Sequence, residues 1–313
     1  MKRIIALLSA ALLAAPALAQ YPDRPVKLIV PWAAGGDTDN IFRPFQPLFQ
    51  KHLGGTVVIA NVTGASGTVG EREAKNAPPD GYTLFAAHDF IHSAYYTGVT
   101  DVRYTDFEPI CLISATPSVI TASPKTPWKT WKELYDDAKA RPGQITVGAS
   151  LGSTSQFSMA LVEKAAGIKF KYIPYDGLAP RMNAILGGHI DLTDSNLTQK
   201  SKVDAGLLKF IAILGDKRNP EIPNVPTMKE LGYNVVYAVS RGIMVPKGTP
   251  EAVQAKLESA CVAAAKEPAF AHSMSLQGTE VRTLGRKGYA DFLSEDDKLY
   301  KEVSDELGLT KKR

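Results

Sequence analysis

Short β-rich apolar segments alternate with amphipathic segments along most of the chain, and this alternation limits the possible folds more than any other feature. PVKLIVPW (residues 25–32) precedes the helical pattern TDNIFRPFQPLFQKHLG (38–54), and similar pairs follow. Such alternation predicts an α/β fold of mainly parallel sheets with helices on their faces. Open sheets of this kind bind ligands beyond the carboxyl ends of their strands. The expected binding loops follow Val30, Ile59, Ala87, Val147, Ile173 and Leu192.

Residues 1–19 have the pattern of a secretory signal peptide. An MKR start precedes an apolar stretch over residues 4–15, which is too short to span a bilayer, and ALA at 17–19 is an A-x-A cleavage site. We therefore expect cleavage after Ala19 and a mature periplasmic chain that begins at Gln20.

The charge pattern argues against a nucleic-acid partner. The formal net charge is +4, and removal of the signal takes two basic residues with it and leaves +2. Lys and Arg are scattered along the chain, without a basic stripe or interleaved aromatic residues. A mild positive bias suits an anionic small ligand.

Two cysteines lie in apolar surroundings. Cys111 is in PICLISA and Cys261 is in the helical pattern LESACVAAAK. An exported protein can keep a disulfide, but these settings favour buried free thiols. Their spacing does not match a zinc or redox motif.

Two proline-containing stretches predict crossings between lobes. They are ATPSVITASPKTPW and VVYAVSRGIMVPKGTP. If the chain crosses at both, residues 21–121 plus 241–313 form lobe 1 and residues 122–240 form lobe 2. The length of the mature chain permits two domains, and a cleft with a hinge would then separate the two sheets.

The segment VPWAAGGDTDN joins the first strand to the first helix. Gly35 and Gly36 permit positive φ and remove side-chain bulk, and Asp37, Thr38 or Asp39 can cap the helix. The free N–H groups of the first helical turn make an anion site. Because two residues here are acidic, a carboxylate held through the backbone or water fits better than a phosphate. The alternative is an ordinary tight turn with a good cap.

Two further glycine-rich loops also precede helices. NVTGASGTVG contains Thr63, Gly64, Ala65 and Ser66, and the other loop is VGASLGSTSQ. Neither is a phosphate-binding P-loop, because the required Lys is absent. Three such loops argue more strongly for a ligand site than one.

The third loop also permits an enzymatic alternative. Its GASLG sequence fits the G-x-S-x-G nucleophile elbow of α/β-hydrolases, with Ser150 as nucleophile, Asp194 as acid and His272 as base. The pattern is short, and His272 lies in a helix-like segment. A fluorophosphonate probe separates the two readings, because only an activated Ser150 would react.

The pair of histidines in HDFIH has the spacing of two ligands on one helical face. His88 and His92 are four residues apart, but no Glu occupies the H-E-x-x-H position and no third ligand is evident. We interpret them as loop histidines near the cleft and expect neither a metal nor a cofactor.

The order of motifs along the whole mature chain resembles the Bug-type, TctC-like extracytoplasmic solute receptors of tripartite tricarboxylate transporters. YPDRPVKLIVPWAAGGDTD, VVIANVTGASGTVG, APPDGYTLFAA, IPYDGLAPRMNAILGGHIDLTDSNL, NVPTMKELGY and RGIMVPKGTPEAV occur in the family's order and spacing. The resemblance implies a two-lobed periplasmic-binding-protein fold (Venus flytrap, type II) with a cleft between the lobes. It also implies a protein without enzymatic activity that carries a small organic carboxylate to a membrane permease, and dicarboxylates, tricarboxylates and aromatic carboxylates all fit. We expect this protein to be a monomer. A sensor that presents its ligand to a membrane kinase would have the same fold.

The resemblance also implies which residues bind the ligand. Gln156 departs from the family, because many relatives have His near this position, and Pro44 and Pro47 indicate a kink or a later start of the first helix. One wall of the site is expected to comprise Ala34, Gly35, Gly36, Thr38 and Asp39. The opposite wall is expected to comprise Ser150, Ser153, Thr154 and Gln156, with Tyr175, Asp194, Ser195 and Asn196 nearby in the same lobe and Thr63, Gly64, Ala65 and Ser66 in lobe 1.

Arg241 is the residue expected to recognise a second carboxylate of the ligand. It lies at the second predicted crossing, and a guanidinium can bind a carboxylate through two parallel hydrogen bonds. The alternative is a structural ion pair across the hinge. Arg181 is a lesser candidate that we expect to be exposed. Aromatic surface for a ring-bearing ligand is expected from Trp32, His88, His92 and Tyr95, whose alternative role is plain packing.

Overall fold

The computed structural model describes residues 21–311, so the predicted signal peptide and its cleavage site lie outside the described residues. The strands are β1 (Val26–Val30), β2 (Val57–Asn61), β3 (Thr83–His88), β4 (Phe107–Pro117), β5 (Val119–Ala122), β6 (Thr146–Ala149), β7 (Lys171–Pro174), β8 (Leu192–Ser195), β9 (Lys209–Ile213), β10 (Ala238–Pro246) and β11 (Glu280–Leu284). The helices are α1 (Asp37–Leu53), α2 (Thr68–Lys75), α3 (Phe90–Tyr96), α4 (Trp131–Ala140), α5 (Thr154–Ala166), α6 (Leu178–Gly187), α7 (Lys200–Asp204), α8 (Glu251–Ala265), α9 (Pro268–Ser275) and α10 (Arg286–Glu306).

The strands form two sheets, which define the two lobes. Lobe 1 contains a six-stranded sheet in the order β11-β4-β10-β3-β1-β2, and lobe 2 contains a five-stranded sheet in the order β7-β6-β8-β5-β9. Strands β1 and β6 are each parallel to both of their neighbours, whereas β10 and β5 are antiparallel to theirs. The prediction of an α/β fold is confirmed, but the prediction of mainly parallel sheets is wrong. Strands linked through a helix run parallel, while the strands near the crossings lack such links.

The first helix runs without interruption through both of its prolines. It begins at Asp37, so the predicted later start is wrong. Burial of a large apolar side chain contributes about 1.5–3 kcal/mol, and several such contributions outweigh two internal prolines at about 3 kcal/mol each. The buried apolar side chains of α1 are Ile41, Phe42, Phe45, Phe49 and Leu53, all within the lobe 1 core.

The two cysteines form a disulfide within lobe 1. Cys111 on β4 is bonded to Cys261 on α8, with their Cα atoms 6.4 Å apart. The prediction of burial is correct, since both residues are fully buried, but the prediction of free thiols is wrong. Helix α8 packs directly on β4, which brings together two residues that are 150 positions apart in the sequence.

The chain passes between the lobes at two adjacent places. Strand β4 leads into β5 through Ser118, and the chain returns to lobe 1 in β10. The Ser118 N–H donates to the Tyr237 carbonyl over 3.1 Å, so the two crossings run side by side. The lobe boundaries expected after residues 121 and 240 remain predictions.

The described part of the chain lacks both a helix able to span a membrane and a cluster of metal ligands. Among residues 21–311, no helix is both long enough and apolar enough to cross a membrane. The same residues contain no group of three or more His, Cys, Asp or Glu side chains placed to hold a metal ion.

Candidate ligand-binding cavity between the lobes

A cavity of about 40 Å³ lies between the lobes, and mostly polar side chains line it. Lobe 1 contributes Trp32, Asp37, Thr38, His88, Val239 and Arg241, and lobe 2 contributes Ser150, Ser153, Thr154, Ser155, Gly177, Leu178, Arg181 and Asp194.

The glycine pair after β1 turns the chain sharply into α1. Gly35 has φ +72°, a left-handed conformation that favours glycine. Gly36 is the N-cap, and a Cβ there would lie 2.8 Å from the Ala33 carbonyl oxygen. The turn therefore needs both glycines, and it directs the first helical turn, with Thr38, at the cavity.

The acidic residues of this turn are bound by neighbouring groups. Asp37 accepts from Arg241 over 2.7 Å and also from the Asn196 amide of lobe 2. Asp39 accepts from the Gly35 N–H, Arg43 and Asn61. Burial raises the pKa of Asp39, but these hydrogen bonds outweigh burial and lower it below its usual value. Both carboxylates thus have cationic partners, which reduces their repulsion of an anion at the start of α1.

The serine-rich loop after β6 forms much of the lobe 2 wall. The Ser150 hydroxyl donates to the Tyr175 carbonyl (2.8 Å) and accepts from the Gly177 N–H (2.9 Å). The Ser155 hydroxyl accepts from the Ser150 N–H (2.9 Å). These bonds fix the loop at the start of α5, where the N–H groups of Thr154 and Ser155 have no acceptor among the described residues.

A third helix also begins at the cavity. Gly177, the N-cap of α6, has φ +90°, and a Cβ there would lie 3.3 Å from the Trp32 ring. The absence of a side chain at Gly177 therefore lets lobe 2 approach lobe 1 closely. Helices α1, α5 and α6 all present their N-termini to the same cavity, and such ends attract anions through free N–H groups and the helix dipole.

His88 lies on the lobe 1 wall and stacks on Trp32, with their ring centroids 5.4 Å apart. Burial lowers the pKa of His88 well below its usual value, and the nearby Arg241 adds to this effect. The imidazole is therefore neutral at pH 7. Its Nδ1 accepts from the Phe90 N–H over 3.1 Å, which leaves the proton on Nε2.

Asp194 and Arg181 are the other two ionisable residues of the cavity, and both are buried. Burial raises the pKa of Asp194 to about 7, while Arg181 and hydrogen bonds from Ser118 and Ser158 act in the opposite direction. Burial lowers the pKa of Arg181. The side chain remains charged at neutral pH, because the pKa of an unperturbed guanidinium is above 12. The cavity therefore contains two guanidinium groups, one paired carboxylate and one carboxyl that is only partly ionised at pH 7.

The structure places seven of the expected ligand-binding residues on the cavity wall. Binding loops were expected after six strands. Five of these strands, all except β2, have wall residues at their carboxyl ends or in the loop that follows. These seven are Thr38, His88, Ser150, Ser153, Thr154, Asp194 and Arg241.

Other expected site residues support the wall or lie away from it. Gln156 accepts from the Gly152 N–H (2.7 Å), and Ser195 bonds Thr121 (2.5 Å), so both maintain the fold of lobe 2. Tyr175 contributes its carbonyl to Ser150. The remaining lobe 1 residues outside the wall are Ala34, Gly35, Gly36 and Asp39 of the first turn and Thr63, Gly64, Ala65 and Ser66 of the second glycine loop.

The second glycine loop contacts the opposite lobe instead of the cavity. The Ser66 N–H donates to the Asp176 carboxylate over 3.0 Å. His92 and Tyr95 also lie away from the cavity: His92 is 3.3 Å from Asp297, and Tyr95 lies under the Arg103 guanidinium. The aromatic surface of the cavity thus comes from Trp32 and His88.

The expectation that Arg181 is exposed is wrong, because only 6% of it is accessible. The sequence contained a signal for this burial. Leu178, Arg181, Met182 and Ile185 have the i, i+3, i+4, i+7 spacing of one helical face, and all four are buried. Gly177 was also missed, although it directly precedes a helix, as Gly36 does.

The geometry does not support a hydrolase. Both hydrogen bonds of the Ser150 hydroxyl go to backbone groups, and no histidine among residues 21–311 is bonded to it. His272 is exposed on α9. A nucleophilic serine needs a base within hydrogen-bond reach.

Two sheets, two adjacent crossings and a polar cavity between the lobes define a periplasmic-binding-protein fold. The chain belongs to the TctC family, the receptors of the tripartite tricarboxylate transporter family. The model of this family matches residues 41–309. It is 33% identical over 306 residues to the "UPF0065 protein in gbd 5'region" of Cupriavidus necator, covering 96% of this chain and 93% of that protein.

Solved structures agree with this assignment. The periplasmic binding protein BugD superposes with a TM-score of 0.88 at 33% identity, covering 93% of this chain and 100% of BugD. MatC from Rhodopseudomonas palustris with bound malate has a TM-score of 0.84 at 27% identity, covering 90% and 99% of the two chains. R. palustris Rpa4515 with adipate has a TM-score of 0.87 at 27% identity, covering 93% and 99%.

Proposed function

We propose that this protein captures a small organic carboxylate in the cavity between its lobes and delivers it to the permease of a tripartite tricarboxylate transporter. The observation that carries the proposal is the convergence of three helix N-termini on a cavity between the lobes that also contains two guanidinium groups. Similar proteins bind malate and adipate, which are both dicarboxylates. The protein catalyses no reaction in this proposal.

Ligand capture is proposed to occur by closure of the lobes about the two crossings. Following the two sheets, we assign residues 21–117 plus 238–311 to lobe 1 and residues 119–237 to lobe 2, with the hinge at the paired crossing strands. Contacts between the Asn196 amide and Asp37, and between Ser66 and Asp176, join the lobes beside the cavity. A ligand that touches both walls favours the closed state because it binds that state more tightly.

A thermal-shift screen of the chain from Gln20 onward tests ligand binding. The panel contains aliphatic dicarboxylates and tricarboxylates, aromatic carboxylates and the corresponding uncharged amides. A specific acid at one hundred times its dissociation constant adds about 2.7 kcal/mol to the free energy of unfolding, which raises the melting temperature by several degrees. Absence of a shift with every acid, or equal shifts with the amides, would contradict the proposal.

Reaction with a fluorophosphonate probe tests the absence of catalysis. Because the Ser150 hydroxyl is bound by two backbone groups and lacks a histidine partner, we expect no labelling above that of a Ser150→Ala variant. Labelling that depends on Ser150 would favour a hydrolase instead.

The proposed location is the periplasm, as for the family, and the proposed partner is the membrane permease. Sequencing the amino terminus of the protein from a periplasmic extract should find Gln20 first. Ligand-loaded protein should also cross-link to permease subunits in membranes, and ligand-free protein should do so less. We propose that the receptor acts as a monomer, which sedimentation of the loaded protein would check.

A further inference from the structure

Arg181 is held on the lobe 2 wall by neutral oxygen atoms. Its Nε donates to the Gly177 carbonyl (3.0 Å), and its Nη1 donates to the Thr193 hydroxyl (3.3 Å) and the Asp194 carbonyl (3.1 Å). These bonds fix the position of the guanidinium but do not neutralise its charge.

Among residues 21–311, no carboxylate forms an ion pair with this cation. Within residues 21–311, no Asp or Glu oxygen lies within 4.0 Å of the Arg181 nitrogens, although Asp194 and Asp37 influence it electrostatically from farther away. Arg241, the other guanidinium of the cavity, has Asp37 at 2.7 Å. Buried charges in proteins are normally paired. Arg241 already has such a partner, whereas Arg181 does not have one in the described chain.

The position of Arg181 in α6 makes its charge less favourable. It lies in the first turns of the helix, and its Nε is bonded to the carbonyl of the N-cap Gly177. The N-terminus of a helix carries a partial positive charge, so a cation there is repelled. An anion in the adjacent cavity would relieve both this repulsion and the lack of an ion pair.

The Nη2 atom of Arg181 is the donor available to such an anion. Its two N–H groups have no acceptor in the described chain, and the other two nitrogens account for all the hydrogen bonds of this side chain. Nη2 is also absent from the fully enclosed unpartnered atoms, such as Trp32 Nε1, so it retains accessible surface. Because Arg181 lines the cavity, that surface faces the ligand space.

We propose that Arg181 binds the second carboxylate of a dicarboxylate ligand, whose first carboxylate lies at the N-termini of α1 and α5. The inference rests on the proposed function and narrows its ligand class. The first carboxylate does not need Arg181, because Thr154 and Ser155 supply free N–H groups of their own. Arg181 therefore distinguishes a dicarboxylate from a monocarboxylate of the same length.

The test uses titration calorimetry with paired probes. The probes are straight-chain α,ω-dicarboxylates of four to eight carbons and the monomethyl ester of each, which keeps one carboxylate and the chain. The proteins are the wild type, Arg181→Met, Arg181→Lys and the control Arg218→Met. Arg218 is also in lobe 2 and pairs with Glu230 on the surface, away from the cavity.

We expect the wild type to bind one dicarboxylate at least tenfold more tightly than its monoester, because the charge-assisted hydrogen bond is lost with the ester. Arg181→Met should weaken the dicarboxylate by about thirtyfold and the monoester by less than about threefold. Arg181→Lys should recover part of the loss, and Arg218→Met should match the wild type.

Three results would overturn the inference. They are equal wild-type affinity for acid and monoester, unchanged dicarboxylate affinity in Arg181→Met, and equal weakening of both probes in that variant, which would make Arg181 a positioning residue. The first result needs no variant, so misfolding of Arg181→Met cannot hide it. If a different organic acid binds and no dicarboxylate does, this inference fails and the proposed function stands. If no acid binds, both fail.

Discussion

The two walls of the cavity differ in whether their arginine is paired with a carboxylate. On the lobe 1 wall, Arg241 and Asp37 neutralise one another at 2.7 Å, and Thr38 and Thr116 bond the rest of the guanidinium. On the lobe 2 wall, Arg181 has only neutral partners in the described chain and Asp194 has a raised pKa. The difference teaches that a guanidinium in a cleft need not bind the ligand. Whether it can do so depends on how much of its positive charge is left without a carboxylate partner in the protein. Arg241 is already neutralised by Asp37, whereas Arg181 has no carboxylate within 4.0 Å among the described residues.

The largest expected effect is on the free energy of unfolding, and it follows from removing the ion pair of lobe 1. Arg241→Met leaves Asp37 without its cation, and loss of one partner of a buried pair costs about 3–5 kcal/mol. We expect the lower end of this range, because Asp37 keeps 26% of its side chain exposed. Arg181→Met breaks no ion pair and should reduce the free energy of unfolding by less. Urea denaturation of ligand-free protein measures both, and equal losses would contradict the contrast between the walls.

The disulfide gives a second contrast, because it ties β4 to α8 within lobe 1 alone. In the double variant Cys111→Ala/Cys261→Ala, we expect unfolding to require about 2–4 kcal/mol less, as is typical for loss of a native disulfide. Hydrogen exchange should accelerate in lobe 1 more than in lobe 2. Reduced wild-type protein is the matched control and should show the same pattern. Equal acceleration in both lobes would show that the bridge stabilises the molecule as a whole.

The next prediction concerns lobe 2, where Asp194 should make ligand affinity depend on pH. Asp194 has a pKa of about 7 in the empty cavity, because burial disfavours its ionised form. A bound anion also disfavours ionisation, so it raises this pKa further and binding takes up a proton. Affinity is therefore fully present below pH 7 and falls as the pH rises above 7, by at most tenfold per unit.

Titrations of the tightest-binding acid at pH 6, 7 and 8 measure this slope. Asp194→Asn cannot ionise, so it should bind with little change over the same range. A slope of equal size in Asp194→Asn would assign the titration to another group, such as the ligand itself.

The smallest expected effect concerns the contact between the lobes outside the cavity. Asp176→Ala removes the acceptor of the Ser66 N–H (3.0 Å) and with it one bond of the closed state. A single hydrogen bond contributes about 0.5–1.5 kcal/mol, so ligand affinity should fall by a few-fold. Calorimetry measures the change. An unchanged affinity would show that this contact is equally available when the lobes are open.

Much of the local structure could be predicted from the sequence. The β-rich segments became strands, and two of the three glycine- or serine-rich loops before a helix, those after β1 and β6, became helix N-termini that face the cavity. Gly35 illustrates why: the conformation φ +72° is a property of its own backbone. Helix α3 and strand β11 were not predicted, because FIHSAYY and EVRTL are short and lack a clear period.

The features that depend on distant residues could not be predicted. Cys111 meets Cys261 because α8 packs on β4, and Arg241 meets Asp37 because β10 ends up beside the start of α1. The burial of Arg181 left a trace in helical periodicity, but its lack of an ion pair depends on every carboxylate around it.

By itself, the sequence determined the α/β class, the turns that start α1 and α5 and the kinds of donor they carry, because backbone propensity and periodicity act over a few residues. Only the tertiary structure decided which charges neutralise one another and which remains available in the cavity. Electrostatic balance depends on distances between groups that are far apart along the chain, and those distances exist only once the lobes have folded and closed.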